Sequence, residues 1–353
     1  MPAILLTSPL VAHRGSSKYN WAAVSGTARF YQKQPDGRVA CTLCPNACLI
    51  AEGKHGVCRV RFNKEGRLEI PFYGRISALA VDPIEKKPLY HYYPGASILS
   101  AGFVGCSLRC GFCQNWHISQ STSAETRVVS PEEMVAIALR EASFGIAYTY
   151  SEPLIHIEYL LETAARAREA GLKNVLVSNG YINREPAEEV LGLVDAANID
   201  LKAFDPSFYR EETGGDLEEV KRFIAQAVGK IHLEVTTLVI PTKNDSPAQI
   251  EGIARFIASL DPRIPLHLSR YTPQHRYTIP PTPVETVKRL AEVARGHLPY
   301  VYIGNVGTEE TDTNCPSCGN TLVRRRGYTT AVVGTTHGTC ARCGKPSPIV
   351  TPP

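Results

Sequence analysis

The sequence predicts an α/β protein: a partial (β/α)6 TIM-like barrel with an N-terminal cysteine-rich module and a C-terminal zinc-ribbon-like module. Three observations predict it. From about residue 97, apolar β-rich runs alternate with amphipathic helical stretches roughly every 30 residues, the pattern of repeated βα units. All eleven cysteines fall into three groups: Cys41, Cys44, Cys48 and Cys58; then Cys106, Cys110 and Cys113; then Cys315, Cys318, Cys340 and Cys343. The middle group directly follows the first strand of the alternating region, where such folds place their chemistry.

Residues 1–35 read as a leader of uncertain order, ending in an edge strand over Ala28–Lys33. The turn Pro35-Asp-Gly37 opens a cysteine-rich metal module over residues 36–95, with short β-like runs and proline punctuation. The core spans residues 96–307. Its predicted strands are Ile98–Val104, Ile146–Tyr150, Asn174–Ser178, Ala197–Ala203, His232–Ile240 and Pro265–Arg270, with Val301–Ile303 as a further one. Ser130-Pro-Glu-Glu133 is a helix start, with a capping serine, proline at the first helical position and Glu three residues after the cap. Gly171, Gly229 and Gly296 are expected to stop helices over Leu154–Ala170, 217–228 and 284–295. Six such units suit an open partial barrel, although a doubly wound sheet shows the same alternation. After Gly307 a polar linker leads into the ribbon-like module, residues 308–353.

With 353 residues the chain exceeds the size at which one core usually stops growing. Its net charge of +4 is too mild to indicate nucleic acid. No apolar run is long enough to cross a bilayer, and no membrane partner is expected. The first residues lack a basic segment and are broken by Pro9, so no signal peptide and a cytoplasmic location are expected. Paired cysteine knuckles in a long chain of this kind read as metal sites rather than disulfides.

Cys106, Cys110 and Cys113 have the spacing C-x3-C-x2-C within eight residues, so three thiolates can reach one compact centre. Three ligands leave one iron of a [4Fe–4S] cluster open, and an open position separates reactive metal sites from structural ones. In the last group, two C-x2-C knuckles each followed by glycine flank 21 residues, of which Thr321–Val333 suits a hairpin. Four soft thiolates in a closed tetrahedron fit zinc, with rubredoxin-like iron as the alternative. Arg324-Arg-Arg326 inside it reads as solvated surface. The first group, C-x2-C-P-x2-C-x9-C, fits zinc or another structural metal, with an auxiliary [4Fe–4S] electron relay as the alternative. Asp200 and Lys202 sit inside an apolar strand, where charges are costly without partners. Glu234, Thr236, His267, Ser269 and Arg270, on the last two predicted strands of the six, are candidates for the substrate side, and Glu234, Thr236, His267 and Arg270 are the catalytic candidates.

With Phe112 before its last cysteine, the triplet resembles the signature of radical S-adenosylmethionine (SAM) enzymes. That resemblance implies a [4Fe–4S] cluster and SAM as cofactors, with Phe112 beside them. Thr149-Tyr-Ser-Glu-Pro153 is similar to the Gly-Gly-Glu-Pro of pyruvate formate-lyase activating enzymes, which implies that Glu152 meets the SAM ammonium; Tyr150 and Ser151 replace the glycines. Val177-Ser-Asn-Gly180 resembles their Asp-Thr-Asn-Gly, implying a contact from Asn179, but Val177 replaces the acid on which a cation site would be built. Asp200-Leu-Lys202 resembles a sequence whose lysine meets the SAM carboxylate. The opening Cys-x2-Cys-Pro-x2-Cys, the run Val81–His91, Tyr148-Thr-Tyr150 before Glu152-Pro153, and Tyr302-Ile-Gly-Asn305 resemble the AmmeMemoRadiSam system radical SAM proteins. Memo-like and AMME-type proteins are thereby implied as partners, beside an electron donor such as flavodoxin or ferredoxin.

The implied activity is reductive cleavage of SAM to a 5′-deoxyadenosyl radical that abstracts hydrogen from an unidentified substrate. A glycyl-radical-enzyme activase acting on a partner protein and a non-catalytic metal-binding scaffold are the alternatives.

Overall fold

One sheet organises the molecule, and its strands are the apolar runs of the βα pattern. The computed structural model describes residues 26–307 and 311–352; most of the expected leader and the first part of the linker lie outside the described residues. Strands β1 (Ala78–Pro83), β2 (Ser97–Gly102), β3 (Gly145–Thr149), β4 (Lys173–Ser178), β5 (Ala196–Asp200), β6 (His232–Val239), β7 (Leu266–Arg270) and β8 (Val301–Gly304) lie side by side in chain order. β2 to β8 pair in parallel. β1 flanks β2 antiparallel, with Ala78 opposite Gly102 and Pro83 opposite Ser97. This monotonic order lacks the reversal that defines a doubly wound sheet.

Parallel neighbours need long crossovers. These are α1 (Pro131–Arg140), α2 (Ile157–Glu169), α3 (Arg184–Leu191), α4 (Leu217–Ala227), α5 (Pro247–Leu260) and α6 (Val284–Arg295). Strands of such sheets are covered on both faces and read as continuous apolar runs; β3 is buried at all five positions. The Ser130 hydroxyl accepts the Glu133 N–H at 3.1 Å, as the capping pattern predicts. Gly171 and Gly229 take φ of +78° and +76° after α2 and α4. Gly296 does not: its φ of −61° is right-handed, so α6 ends without a left-handed stop.

Three features depart from the sequence expectation. β1 belongs to the main sheet, although its residues read as part of the N-terminal module. The edge strand begins at Tyr31, because Phe30 turns the chain at φ +57°; Tyr31–Lys33 pairs with Val39–Cys41, while Gly26–Thr27 pairs with Arg67–Ile70. Arg325, expected at the surface, is fully buried. It donates to Thr311 O at 3.0 Å, Thr313 Oγ1 at 2.8 Å and Tyr90 O, and its guanidinium lies 4.5 Å from the Tyr90 ring centre. The ribbon strands Thr313–Asn314, Thr321–Arg326 and Thr329–Val332 thus dock on the segment between β1 and β2. That segment also receives the Asn198 side-chain N–H on Pro88 O at 2.7 Å.

Candidate functional site

The parallel strands bring the loops after β2, β3, β4 and β5 to one end of the sheet. The first is the triplet loop. Gly105, at φ +79°, admits the turn into it, and a Cβ there would lie 2.4 Å from Cys58 O. Cys106 Sγ accepts from Leu108 N at 3.3 Å and Asn179 Nδ2 at 3.5 Å, and Cys113 Sγ lies 3.1 Å from Ser119 Oγ. Burial pushes the Cys110 thiol up to about 12. Burial, with Glu152 adding to it, pushes Cys106 well above its ordinary value. Bare thiols here resist ionisation, and a cationic centre between them removes that resistance. Among the described residues, no three of these sulfurs draw within 4.8 Å of one another. Three soft donors on one short loop, with N–H groups directed at sulfur, fit an iron–sulfur cluster.

Glu152, after β3, is buried and accepts from Leu154 N at 3.0 Å, Ser178 Oγ at 2.8 Å and Asn179 N at 2.9 Å. Burial outweighs those three bonds and pushes its carboxyl up to about 7. It therefore ties the β3 loop to the β4 loop and sets Asn179, whose side-chain N–H groups reach Cys106 and, at 3.2 Å, Ser107 Oγ. Gly180 is at φ +67° and Tyr181 N donates to Asn179 Oδ1 at 2.8 Å, so Asn179-Gly180 is also a turn. Lys202 pairs with Asp200 at 2.9 Å. Burial disfavours its charge, but Asp200 outweighs burial and holds the ammonium above its ordinary range. Phe112 is covered by Phe208 and Tyr277, at ring distances of 5.9 and 5.5 Å, and is 4% exposed.

A second network joins residues that the sequence marked by resemblance alone, in the run Val81–His91 and at Tyr150, without a role. Tyr150 takes φ +68°, a conformation that favours glycine, so this backbone turns as a glycine would although a tyrosine stands there. Its carbonyl accepts from Asn115 Nδ2 at 2.5 Å, two residues past Cys113. Its hydroxyl bonds Asp82 and lies 3.2 Å from Lys87 Nζ, which pairs with Asp82 at 2.8 Å and sits 4.3 Å from the Tyr150 ring centre. Burial alone would raise Asp82; Lys87 outweighs it and holds the carboxyl well below the carboxylate range. The available signal was the charged run Asp82-Pro-Ile-Glu-Lys-Lys87 between apolar stretches.

The substrate-side candidates separate by position. Glu234 is third in β6, opposite Asn198, and His267 is second in β7, opposite Thr236. Glu234 accepts from Tyr90 N at 3.0 Å, His91 N at 2.7 Å, His232 Nε2 at 3.0 Å and His267 Nε2 at 2.6 Å. The pair anchors the segment between β1 and β2. Thr236 stands opposite Asp200, and its buried hydroxyl has no partner. Arg270, at the carboxyl end of β7, donates to Thr282 O at 2.7 Å.

The two cysteine tetrads differ in breadth. Cys315 and Cys343 sulfurs lie 3.7 Å apart, as do Cys318 and Cys340, and all four fall within 4.8 Å of one another. Cys41, Cys44, Cys48 and Cys58 line one cavity together with Arg61. Among the described residues, no helix is long and apolar enough to cross a membrane.

Residues 102–257 match the Radical SAM superfamily. An uncharacterized protein of Methanocaldococcus jannaschii is 41% identical over 92% of this chain and 99% of its own length. A pyruvate formate-lyase-activating enzyme of Clostridium pasteurianum is 27% identical over 45% of this chain and 68% of its own. Among solved structures, a radical SAM methyltransferase from Sphaerobacter thermophilus is 19% identical with a TM-score of 0.49, over 60% of this chain and 67% of its own.

Proposed function

The chain belongs to the Radical SAM superfamily, and on that premise we propose that it cleaves SAM reductively and uses the resulting radical to remove hydrogen from a substrate. The observation behind this reading is the triplet itself: three buried or half-buried thiols, held apart, on the loop after the first parallel strand, with Asn179 and Leu108 N–H groups directed at Cys106. When bound, a [4Fe–4S] cluster on Cys106, Cys110 and Cys113 supplies the electron that splits SAM into methionine and a 5′-deoxyadenosyl radical.

The chain's own residues hold and orient the reactants. The Asn179 N–H groups stabilise negative charge on the Cys106 sulfur. Lys202, kept charged by Asp200, offers its ammonium to a carboxylate. Glu152, poised near neutrality by burial, gains its charged form when a cationic ammonium approaches, and it fixes Asn179 meanwhile. Phe112 backs the triplet loop as a packed ring. Thr236, whose hydroxyl has no partner, and Arg270, at the carboxyl end of β7, are the better candidates for the substrate side. Glu234 and His267 are engaged with each other and with the segment between β1 and β2.

The same reading takes β2 to β7 as a partial (β/α)6 barrel and the ribbon as a zinc site. Zn–S bonds of about 2.3 Å put tetrahedral sulfurs about 3.8 Å apart, and the ribbon pairs stand at 3.7 Å. We place the enzyme in the cytoplasm with a flavodoxin- or ferredoxin-type donor. Relatives named as activating enzymes support a second reading, in which the hydrogen comes from a glycine of a partner protein. Anaerobic reconstitution and reduction with SAM is expected to release 5′-deoxyadenosine. A reduced cluster that leaves SAM intact overturns both readings and favours a metal-binding scaffold. Deuterium carried into 5′-deoxyadenosine from a partner labelled at glycine selects the activase; deuterium from another fraction of a labelled extract selects a different substrate.

A further inference from the structure

We infer that Cys41, Cys44, Cys48 and Cys58 hold an auxiliary [4Fe–4S] cluster that relays electrons to the triplet, rather than the structural zinc that the composition suggests. The two tetrads provide the contrast. Among the described residues, the ribbon cysteines are the one set of three or more ligand atoms drawn within 4.8 Å of one another. That is the breadth of a single tetrahedral ion. The N-terminal sulfurs are not drawn together, and in this they match the triplet. Instead they surround a cavity whose walls are closed by Leu43, Ile50 and Ile155. Four thiolates around one cavity, wider set than those of a single ion, are what an iron–sulfide cube needs.

A second observation points into the same cavity. Arg61 is 1% exposed, and it donates to Arg29 O at 2.9 Å and to Glu158 at 2.7 and 2.8 Å. Its Nε, which is also buried, has no partner. Buried donors of this kind are almost always satisfied. A cluster sulfide or thiolate beside Arg61 is an acceptor of the right charge, and N–H groups from Val57 to Cys48 Sγ at 3.4 Å and from Asn46 to Cys44 Sγ at 3.6 Å face the sulfurs as well. Such bonds set the potential of a cluster.

The tetrad abuts the triplet loop. Asn46 Nδ2, 3.6 Å from Cys44 Sγ, donates to Ser107 O at 2.7 Å, one residue past Cys106. The Cys58 carbonyl packs on Gly105, one residue before it. One electron enters the tetrad's cluster from a donor of the ferredoxin or flavodoxin class and leaves to the triplet's cluster, so the auxiliary cluster ends in its starting oxidation state. The metal assignment is independent of the proposed reaction; the direction of the relay rests on it.

Iron and zinc contents of anaerobically reconstituted protein test the assignment. The full chain is expected to hold about eight irons and one zinc, and the variant with Cys106→Ala, Cys110→Ala and Cys113→Ala about four irons, with a reduced-cluster electron paramagnetic resonance signal that SAM does not shift. That variant holding no iron and two zincs overturns the proposal. Should it not fold, Cys41→Ser with Cys44→Ser gives the complementary reading: about four irons with a SAM-shifted signal are expected, and a full iron load overturns the proposal. In this second variant, SAM cleavage with reduced flavodoxin is expected to fall at least about tenfold while dithionite restores it; equal rates with both reductants overturn the relay. Eight irons in a chain that leaves SAM intact would refute the proposed reaction and leave the cluster assignment standing.

Discussion

Glu152, in the loop after β3, and Glu234, near the start of β6, are both fully buried glutamates, and their carboxyls are driven in opposite directions. For Glu152, burial outweighs three donors and pushes the group up to about 7. For Glu234, burial would do the same, but His232 and His267 outweigh it and hold the group well below the carboxylate range. Two backbone N–H groups from Tyr90 and His91 complete its shell. The difference teaches which carboxyl works and which one holds. A carboxyl left poised near neutrality responds to a ligand; one saturated by four donors is a fastening.

The largest effect should come from the fastening. Glu234→Ala leaves two buried N–H groups and two histidines without an acceptor, and it is expected to cost about 3–5 kcal/mol, read as a lower denaturant midpoint, with the triplet's cluster signal unchanged. Full stability with lost SAM cleavage would reverse the roles of the two carboxyls. The pH dependence of stability comes next. Glu152 has a folded pKa above its unfolded value, so its contribution is complete at low pH and is lost as pH rises through about 7. Glu234 has a depressed folded pKa, so its contribution is present above the unfolded value and is lost as pH falls through the folded one. Between pH 4.5 and 7 the wild type should therefore lose about 3 kcal/mol relative to Glu152→Gln, measured by unfolding at a series of pH values. Parallel curves for the two proteins would show that Glu152 is not poised. The smallest effect is expected at the ribbon contact. Arg325→Met removes donors to Thr311, Thr313 and Tyr90 and should cost about 1–3 kcal/mol, with faster proteolysis across residues 311–352 and an unchanged iron content. Loss of iron instead would link the ribbon to the reactive end.

Much of this was legible before any coordinates, because it rests on local chemistry. Runs such as Asn174–Ser178 are strands for their apolar character, and the triplet's spacing alone brings three thiolates together. What failed has a physical reason. Alternation along a strand tells which face a side chain takes, but not what packs on that face. Glu234 and His267 are buried against each other and against the backbone of Tyr90 and His91, a contact between distant parts of the chain that periodicity does not encode. β1 was illegible because Ala78–Pro83 becomes a strand only through pairing with β2. Arg325 lies in a basic run, and only the docked ribbon distinguishes it from its solvated neighbour Arg324. Breadth, which separates the two cysteine tetrads, is a three-dimensional quantity that ligand spacing does not encode.

The bond from Arg325 to Tyr90 joins residues 235 positions apart. A growing chain elongates at about 5–20 residues per second, so on the order of ten to fifty seconds separate the two ends of that bond during synthesis. Throughout that interval the sheet can pair strand by strand, since its neighbours follow in chain order. Its amino-end seal cannot be completed. The ribbon is therefore assembled after the sheet, and nascent chains that stop short of it leave the Tyr90 carbonyl open to water.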